Sequence, residues 1–561
     1  MKIKARKWED ILMLTALALL LVLVNMNLSY FPLRLDLTEE KRYTITDASK
    51  RLLGELDDVV YVEVYLEGEL NSGLKRLQRS IRETLEEFRV YGGQNIEYKF
   101  IDPSDAPNEA ARNRFYQQIT DKGLPATTLY ESVDGQRQQK VIFPGAIISY
   151  RNKEAAVLLL KGNKTASPEQ QLNQSVEGVE YELISAISKM TLKERKSIAF
   201  IEGHKELTAN ETADITAALS EKYIVDRSLI DPQRLANYDA IIIAQPKTAF
   251  SEQEKFVLDQ YIMKGGKAIF LMDEVQMNLD SISRGGTYAF GYSLNIEDLL
   301  FRYGVRPNID LIQDLQAGAI EVYTGNVGNR PNIQRLRWPY YVYLNTFSKH
   351  PIVRNLDVVY AKFFGTIDTV KTTGIKKTPL IFTSQYTRVK KLPSMVDLNE
   401  LREDLKQEKY TISQLPVAYM LEGEFKSFYA TRFAPKGATG QEIVRESVPT
   451  KILVMGDADI IKNEFDKKTG APLPIDVDKN SGQLLSNKEF MLNALAYMTD
   501  EDGIIASRNK QVTLRPLDQF RVKEEKHYWQ IINLVLPVAI ITIFGFIRFY
   551  WRKRKFARNI K

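Results

Sequence analysis

Two apolar runs without a single charge, one near each end, constrain this 561-residue chain more than anything between them. The first, residues 11–28 (ILMLTALALLLVLVNMNL), has only Thr15, Asn25 and Asn27 as polar members. At about 1.5 Å of rise per residue it nearly covers a hydrocarbon core about 30 Å thick if its flanks snorkel. The second, residues 529–547 (WQIINLVLPVAIITIFGFI), contains Pro537, which a membrane helix tolerates better than a soluble one. Tyr528, Trp529, Phe549, Tyr550 and Trp551 stand at its two ends in the manner of an aromatic belt. Both runs read as transmembrane helices.

The flanks set an orientation. Lys2, Lys4, Arg6 and Lys7 precede the first run; Arg548, Arg552, Lys553, Arg554, Lys555, Arg558 and Lys561 follow the second. Basic segments stay on the cytoplasmic side, so residues 1–10 and 548–561 are expected there, with the intervening region across the membrane. Once these tails are set aside, with Glu9 and Asp10 counted among them, the remainder is near −3 although the whole chain is +6. The large region therefore carries no basic bias of the kind nucleic-acid binding needs. The first run is read as an uncleaved anchor, because the following NMNLSYFPLRLDL has no small-x-small cleavage site.

Between the runs the periodicities describe two α/β domains. In residues 36–190 a β-branched strand at 57–68 leads to a helix at 72–92, whose Leu74, Leu77, Ile81, Leu85 and Phe88 recur at helical spacing. An alternating strand at 95–104, a helix at 109–120, strands at 126–133, 141–150 and 155–160, and a helix at 176–190 complete it. This order is close to a thioredoxin-like layout in topology alone. Residues 197–505 open with doubly wound spacing: strands at 197–203, 223–230, 238–246 and 267–274, and helices at 211–222 and 251–266. Ser251 and Glu254 form a capping box at the start of that last helix and Gly265-Gly266 ends it. Further strands at 377–385, 415–423 and 451–459 and a helix at 487–497 suggest a largely parallel sheet covered on both faces. Residues 276–376, rich in Gly, Asn and Tyr, read as an insertion or long loops, and residues 506–528 as a stalk.

The residue inventory excludes much chemistry. The chain has no cysteine, so disulfides, thiolate catalysis and Cys-ligated metals are absent. With three histidines and no HExxH, a zinc hydrolase is not expected, and no GxSxG or GxxxxGK[ST] occurs. ATP hydrolysis must then come from another chain. No cofactor is expected.

What remains are polar residues just past buried strands, where doubly wound sheets bind ligands. His204 and Glu206 follow the strand at 197–203, Asp273 and Glu274 stand at the end of the strand at 267–274, and Asp457 and Asp459 at the end of the strand at 451–459. If the strand order brings them together they could form an oxygen-ligand cation site or a carboxylate/His acid–base pair. The alternative is that Gly203 makes a turn satisfied by His204 and that the Asp side chains cap turns and helices. His350, in SKHPIVRN, is expected to be solvated, and YYVYLN at 340–345 to pack in a strand.

Four stretches also carry a resemblance. LDLTEEKRYTITDAS (35–49), KSIAFIEGHKE (196–206), DAIIIAQPKTAFSEQEKFVLDQYIMKGGKAIFLMDE (239–274) and ILVMGDADIIKNEF (452–465), the last followed by NKEFMLNALAYM, occur in the order found in the GldG family of gliding-motility proteins and the wider ABC-transporter-auxiliary family. The chain resembles these families over essentially its whole length, terminal runs included. The resemblance implies a larger domain similar to glutamine-amidotransferase folds, but the position of their nucleophile holds Asp273 and Glu274 here, so that chemistry is not expected. It implies a non-catalytic periplasmic auxiliary subunit, anchored in a bacterial inner membrane, that works with an ABC permease and an ABC ATPase in gliding motility or secretion. The alternatives are a stand-alone membrane-anchored module binding a glycan or peptide and, less favoured, a hydrolase using the carboxylates and His204.

Overall fold

The computed structural model describes residues 12–13, 15–20, 22–23, 44–133, 136–161, 167–191, 194–277, 282, 286–328, 330–403, 405–436, 443–500, 503–509 and 519–557. It is a mixed α/β structure, and the chain forms two compact units, residues 1–511 and 512–561.

In the first unit, β1 (Val60–Val64), α1 (Ser72–Gly92), β2 (Ile96–Phe100), α2 (Glu109–Asp121), β3 (Gly145–Tyr150), β4 (Lys153–Leu158) and α3 (Pro168–Thr191) build a four-stranded sheet in the order β2-β1-β3-β4. Only β1 and β2 are parallel. Asn71 caps α1 by accepting the N–H of Leu74 at 2.9 Å. The five apolar residues of α1 are buried against Val60, Val62 and Val64, and α3 joins that core through Val179, Leu183, Ile184 and Ile187. Each such buried side chain contributes about 1.5–3 kcal/mol, so the apolar stripe, not intrinsic propensity, holds α1 in place. The strand expected at 141–150 is two strands, separated at Phe143-Pro144, because proline cannot donate to a ladder.

A second, eight-stranded sheet follows. Its strands are β5 (Ser197–Glu202), β6 (Ile224–Leu229), β7 (Ala240–Ala244), β8 (Lys267–Leu271), β9 (Thr346–Phe347), β10 (Ile375–Phe382), β11 (Pro416–Gly423) and β12 (Thr450–Met455), in the order β9-β10-β11-β12-β8-β7-β5-β6. The five strands from β6 to β12 are parallel, and β11, β10 and β9 add antiparallel strands at one side, so the sheet is mixed with a parallel majority. Every residue of β7 is buried. Its alternating side chains feed two cores: Ile242 faces the helices Ala213–Ser220 and Asn487–Thr499, and Ile241 and Ile243 face Glu252–Met263 and Glu297–Tyr303.

The described residues of 276–376 are not long loops. They are built mainly of short strands and a hairpin, Ala317–Val327 with Arg330–Leu344, that pairs onward to Val359–Lys362. Tyr340, Val342 and Leu344 of that hairpin are fully buried. His350 is buried as well, not solvated: its ring meets Tyr497 edge-on with centroids 4.5 Å apart, and its Nδ1 accepts the N–H of Ile352 at 3.3 Å.

Of the first apolar run, residues 12–13, 15–20 and 22–23 are helical and exposed; the rest of it lies outside the described residues, as do residues 1–10. In the second unit, the helix Lys526–Ala557 contains Pro537, and within its stretch Lys526–Arg554 lies an 18-residue window with a mean hydropathy of 2.3 and no buried residue. That length and composition suit a membrane span.

Candidate functional site

Adjacent parallel strands β7, β8 and β12 all end at the same edge of the sheet, which places the residues that follow them side by side. After β7 comes Gln245, after β8 Met272 and Asp273, and after β12 Gly456, Asp457, Ala458 and Asp459. Gly456 is required there by close backbone approach: a Cβ would stand 2.6 Å from the carbonyl oxygen of Gly365.

Asp273, Asp457 and Asp459 converge, each offering an oxygen within 4.8 Å of the others. Asp457 is fully buried, Asp273 is buried and Asp459 is partly exposed. Asp273 Oδ1 accepts the N–H of Ala458 at 2.8 Å, and its Oδ2 accepts Gln245 Nε2, which also reaches Asp459 Oδ1 at 3.3 Å. Asp457 accepts the N–H of Lys362 at 2.8 Å and that of Asp459 at 2.7 Å. The ammonium of Lys462 lies 3.6 Å from Asp459 and 3.8 Å from Glu211. Burial first, and then the neighbouring carboxylates, push Asp273 and Asp457 well above the usual carboxylate range. Burial would lower Lys462, but Asp459, Glu211 and Asp273 outweigh it and the shift is upward.

The other three candidates go elsewhere. Glu274 is buried with neither carboxylate oxygen hydrogen-bonded, and burial, assisted by Glu297 and Asp273, pushes it up to about 8. His204 and Glu206 form their own arrangement after β5, where Gly203 turns the chain with φ +127°. Glu206 accepts the N–H of His204 at 2.6 Å and meets its Nδ1 at 3.1 Å, while Nε2 lies 3.3 Å from Glu254. The imidazole stacks on Phe250 with centroids 3.9 Å apart. Burial alone would lower its pKa, but the two carboxylates reverse the sign and raise it. With both ring nitrogens engaged and one face covered, His204 fastens the β5 turn to the start of the helix that follows β7.

Three participants were missed by sequence reasoning: Gln245, Lys462 and Glu254. Gln245 stands just past β7 as the aspartates stand past β8 and β12, so its place at a strand end is the sequence signal for it. Glu254 forms the capping box that its spacing from Ser251 predicts, and its contact with His204 comes in addition.

A family model described as ABC-type uncharacterized transport system matches residues 195–494, just over half of the chain, and a model of a domain of unknown function matches residues 39–149. A relative in Borreliella burgdorferi, described as an uncharacterized protein, is 21% identical over 570 residues, spanning 98% of this chain and 99% of its own. Among solved structures, the mmIFT52 N-terminal domain aligns with 54% of this chain and 98% of its own length at 16% identity, with a TM-score of 0.31, too low for the two folds to be equated.

Proposed function

We propose that this chain, which belongs to the ABC-type uncharacterized transport system family, is a non-catalytic auxiliary subunit of an ABC transporter held at the membrane by its apolar helices. The observation that carries this reading is the match over residues 195–494 in a chain whose exposed C-terminal helix, Lys526–Ala557, has the length and hydropathy of a span. The sequence contains no phosphate-binding loop, so ATP hydrolysis falls to a partner ATPase, and contact with the machine runs through a permease.

In this reading both apolar runs cross a bacterial inner membrane, the basic tails are cytoplasmic, and residues 36–190 and 197–505 are periplasmic domains of thioredoxin-like and amidotransferase-like type. The charge asymmetry of the flanks supports the orientation. The strand-end acids are held by backbone N–H groups and Gln245, which suits a fixed structural or ligand site better than a nucleophile. Resemblance to the GldG family extends the proposal to gliding motility or secretion.

The test is a mild-detergent pull-down of the tagged full-length protein, alongside a version whose two apolar runs are replaced by unrelated membrane helices. Recovery of an ABC permease and ATPase with the native runs alone is expected. If neither version brings down a transporter component in several detergents, the auxiliary reading fails and a stand-alone binding module takes its place.

A further inference from the structure

We infer that Asp273, Asp457, Asp459 and Gln245 form a binding site for a hard divalent cation of calcium size. Three observations carry this: the convergence of the carboxylates, the state of the Gln245 amide, and a cavity beside Asp459.

Three oxygens no more than 4.8 Å apart lie within about 2.8 Å of a common centre. Calcium–oxygen bonds are about 2.3–2.6 Å and magnesium–oxygen bonds about 2.0–2.1 Å. Even at that upper limit calcium is reached with movements of a few tenths of an ångström, whereas magnesium would need a larger closure of the carboxylates. All donors are oxygen, which suits a hard cation and not a soft transition metal.

The Gln245 side chain gives an independent sign. It is only 7% exposed and its amide is aimed into the cluster, yet its Oε1 is buried without a hydrogen-bond partner. An orphaned buried carbonyl is costly. Turning the amide by 180° about its last torsion moves Oε1 to the place Nε2 holds, between Asp273 and Asp459. With an ion present, that rotation would make Oε1 a fourth oxygen ligand, and Nε2 would take the place Oε1 leaves.

The charge balance points the same way. Among the described residues, Lys462 reaches Asp459 but is shared with Glu211, and Lys362 pairs with Glu464, to which Lys479 also binds. Three carboxylates facing one shared ammonium need either protons or a bound cation. Ligands could enter through a cavity of about 30 Å³ lined by Asp459, Lys462, Lys362 and Glu464, which is enough for one ion or water. Lys462 would be displaced from Asp459 as the ion enters, so it acts as an internal competitor.

The test is thermal unfolding and isothermal titration of the purified full-length protein in detergent, after chelation, with CaCl₂ and separately MgCl₂. The expected result is a concentration-dependent rise in melting temperature with Ca²⁺ at lower concentrations than with Mg²⁺. Asp459→Asn, which changes the most exposed ligand and keeps its shape, should weaken Ca²⁺ binding at least tenfold. Lys462→Gln should tighten it, an outcome that no misfolded variant would give. The inference is overturned if neither ion shifts the melting temperature of the unaltered protein at millimolar concentration, or if Lys462→Gln and Asp459→Asn change the Ca²⁺ response in the same direction.

Discussion

Asp259, fully buried in the helix Glu252–Met263, accepts the phenolic O–H of Tyr303 at 2.9 Å. The same carboxylate takes the hydroxyl of Ser427 at 2.6 Å, the N–H of Phe428 at 2.8 Å and Nε2 of Gln260 at 2.9 Å. One side chain thus ties two helices and the 425–429 segment into a single apolar core. Asp259→Ala strands at least three buried donors and is expected to cost roughly 3–5 kcal/mol. The check is the urea midpoint of the purified protein; an unchanged midpoint would show that this network is dispensable.

The helix Glu252–Met263 begins with a capping box, Ser251 accepting the N–H of Glu254 at 3.2 Å and Glu254 accepting that of Ser251 at 2.8 Å. Ser251→Ala should cost about 1 kcal/mol, the usual value of a lost cap. Glu254→Ala should cost more, because it also removes the partner 3.3 Å from His204 Nε2. Comparing the two urea midpoints decides it: equal losses would mean that the His204 contact contributes nothing to stability.

How much of this was visible beforehand depends on sequence distance. The helix Ser72–Gly92 was legible to the residue because its stripe from Leu74 to Phe88 is local and periodic. Asp273, Asp457 and Asp459 were legible as residues past buried strands, although their meeting depends on β8 and β12 being neighbours across more than 170 residues of chain. Glu274 shares that position in the sequence, but successive residues leave a strand in opposite directions and it lies apart. The hairpin within residues 276–376 was hidden because its edges are exposed and polar, with burial confined to residues such as Tyr340, Val342 and Leu344 that pack on distant strands. The environment of His350 was hidden for the same reason: Tyr497, which covers it, is far along the chain.

His350 offers a test through pH. Burial first, with Lys376 and Lys451 assisting and Glu422 opposing, lowers its pKa from 6.5 to about 4. Its Nδ1 must stay unprotonated to accept the N–H of Ile352. The unfolded chain therefore takes up a proton that the folded chain refuses between pH 6.5 and 4, and the stability present above 6.5 is lost as pH falls through that window. Full loss would approach roughly 3 kcal/mol, and at pH 5 about 2 kcal/mol. His204 has the opposite sign: its pKa is raised, so its contribution is complete below 6.5 and fades as pH rises through its folded value. His350→Asn keeps an acceptor for Ile352 but cannot titrate. Urea midpoints at pH 7.5 and pH 5 should then show the variant losing less on acidification than the unaltered protein, by about 2 kcal/mol. Equal losses would mean that the ring is hydrated and titrates as freely in the folded chain as in the unfolded one.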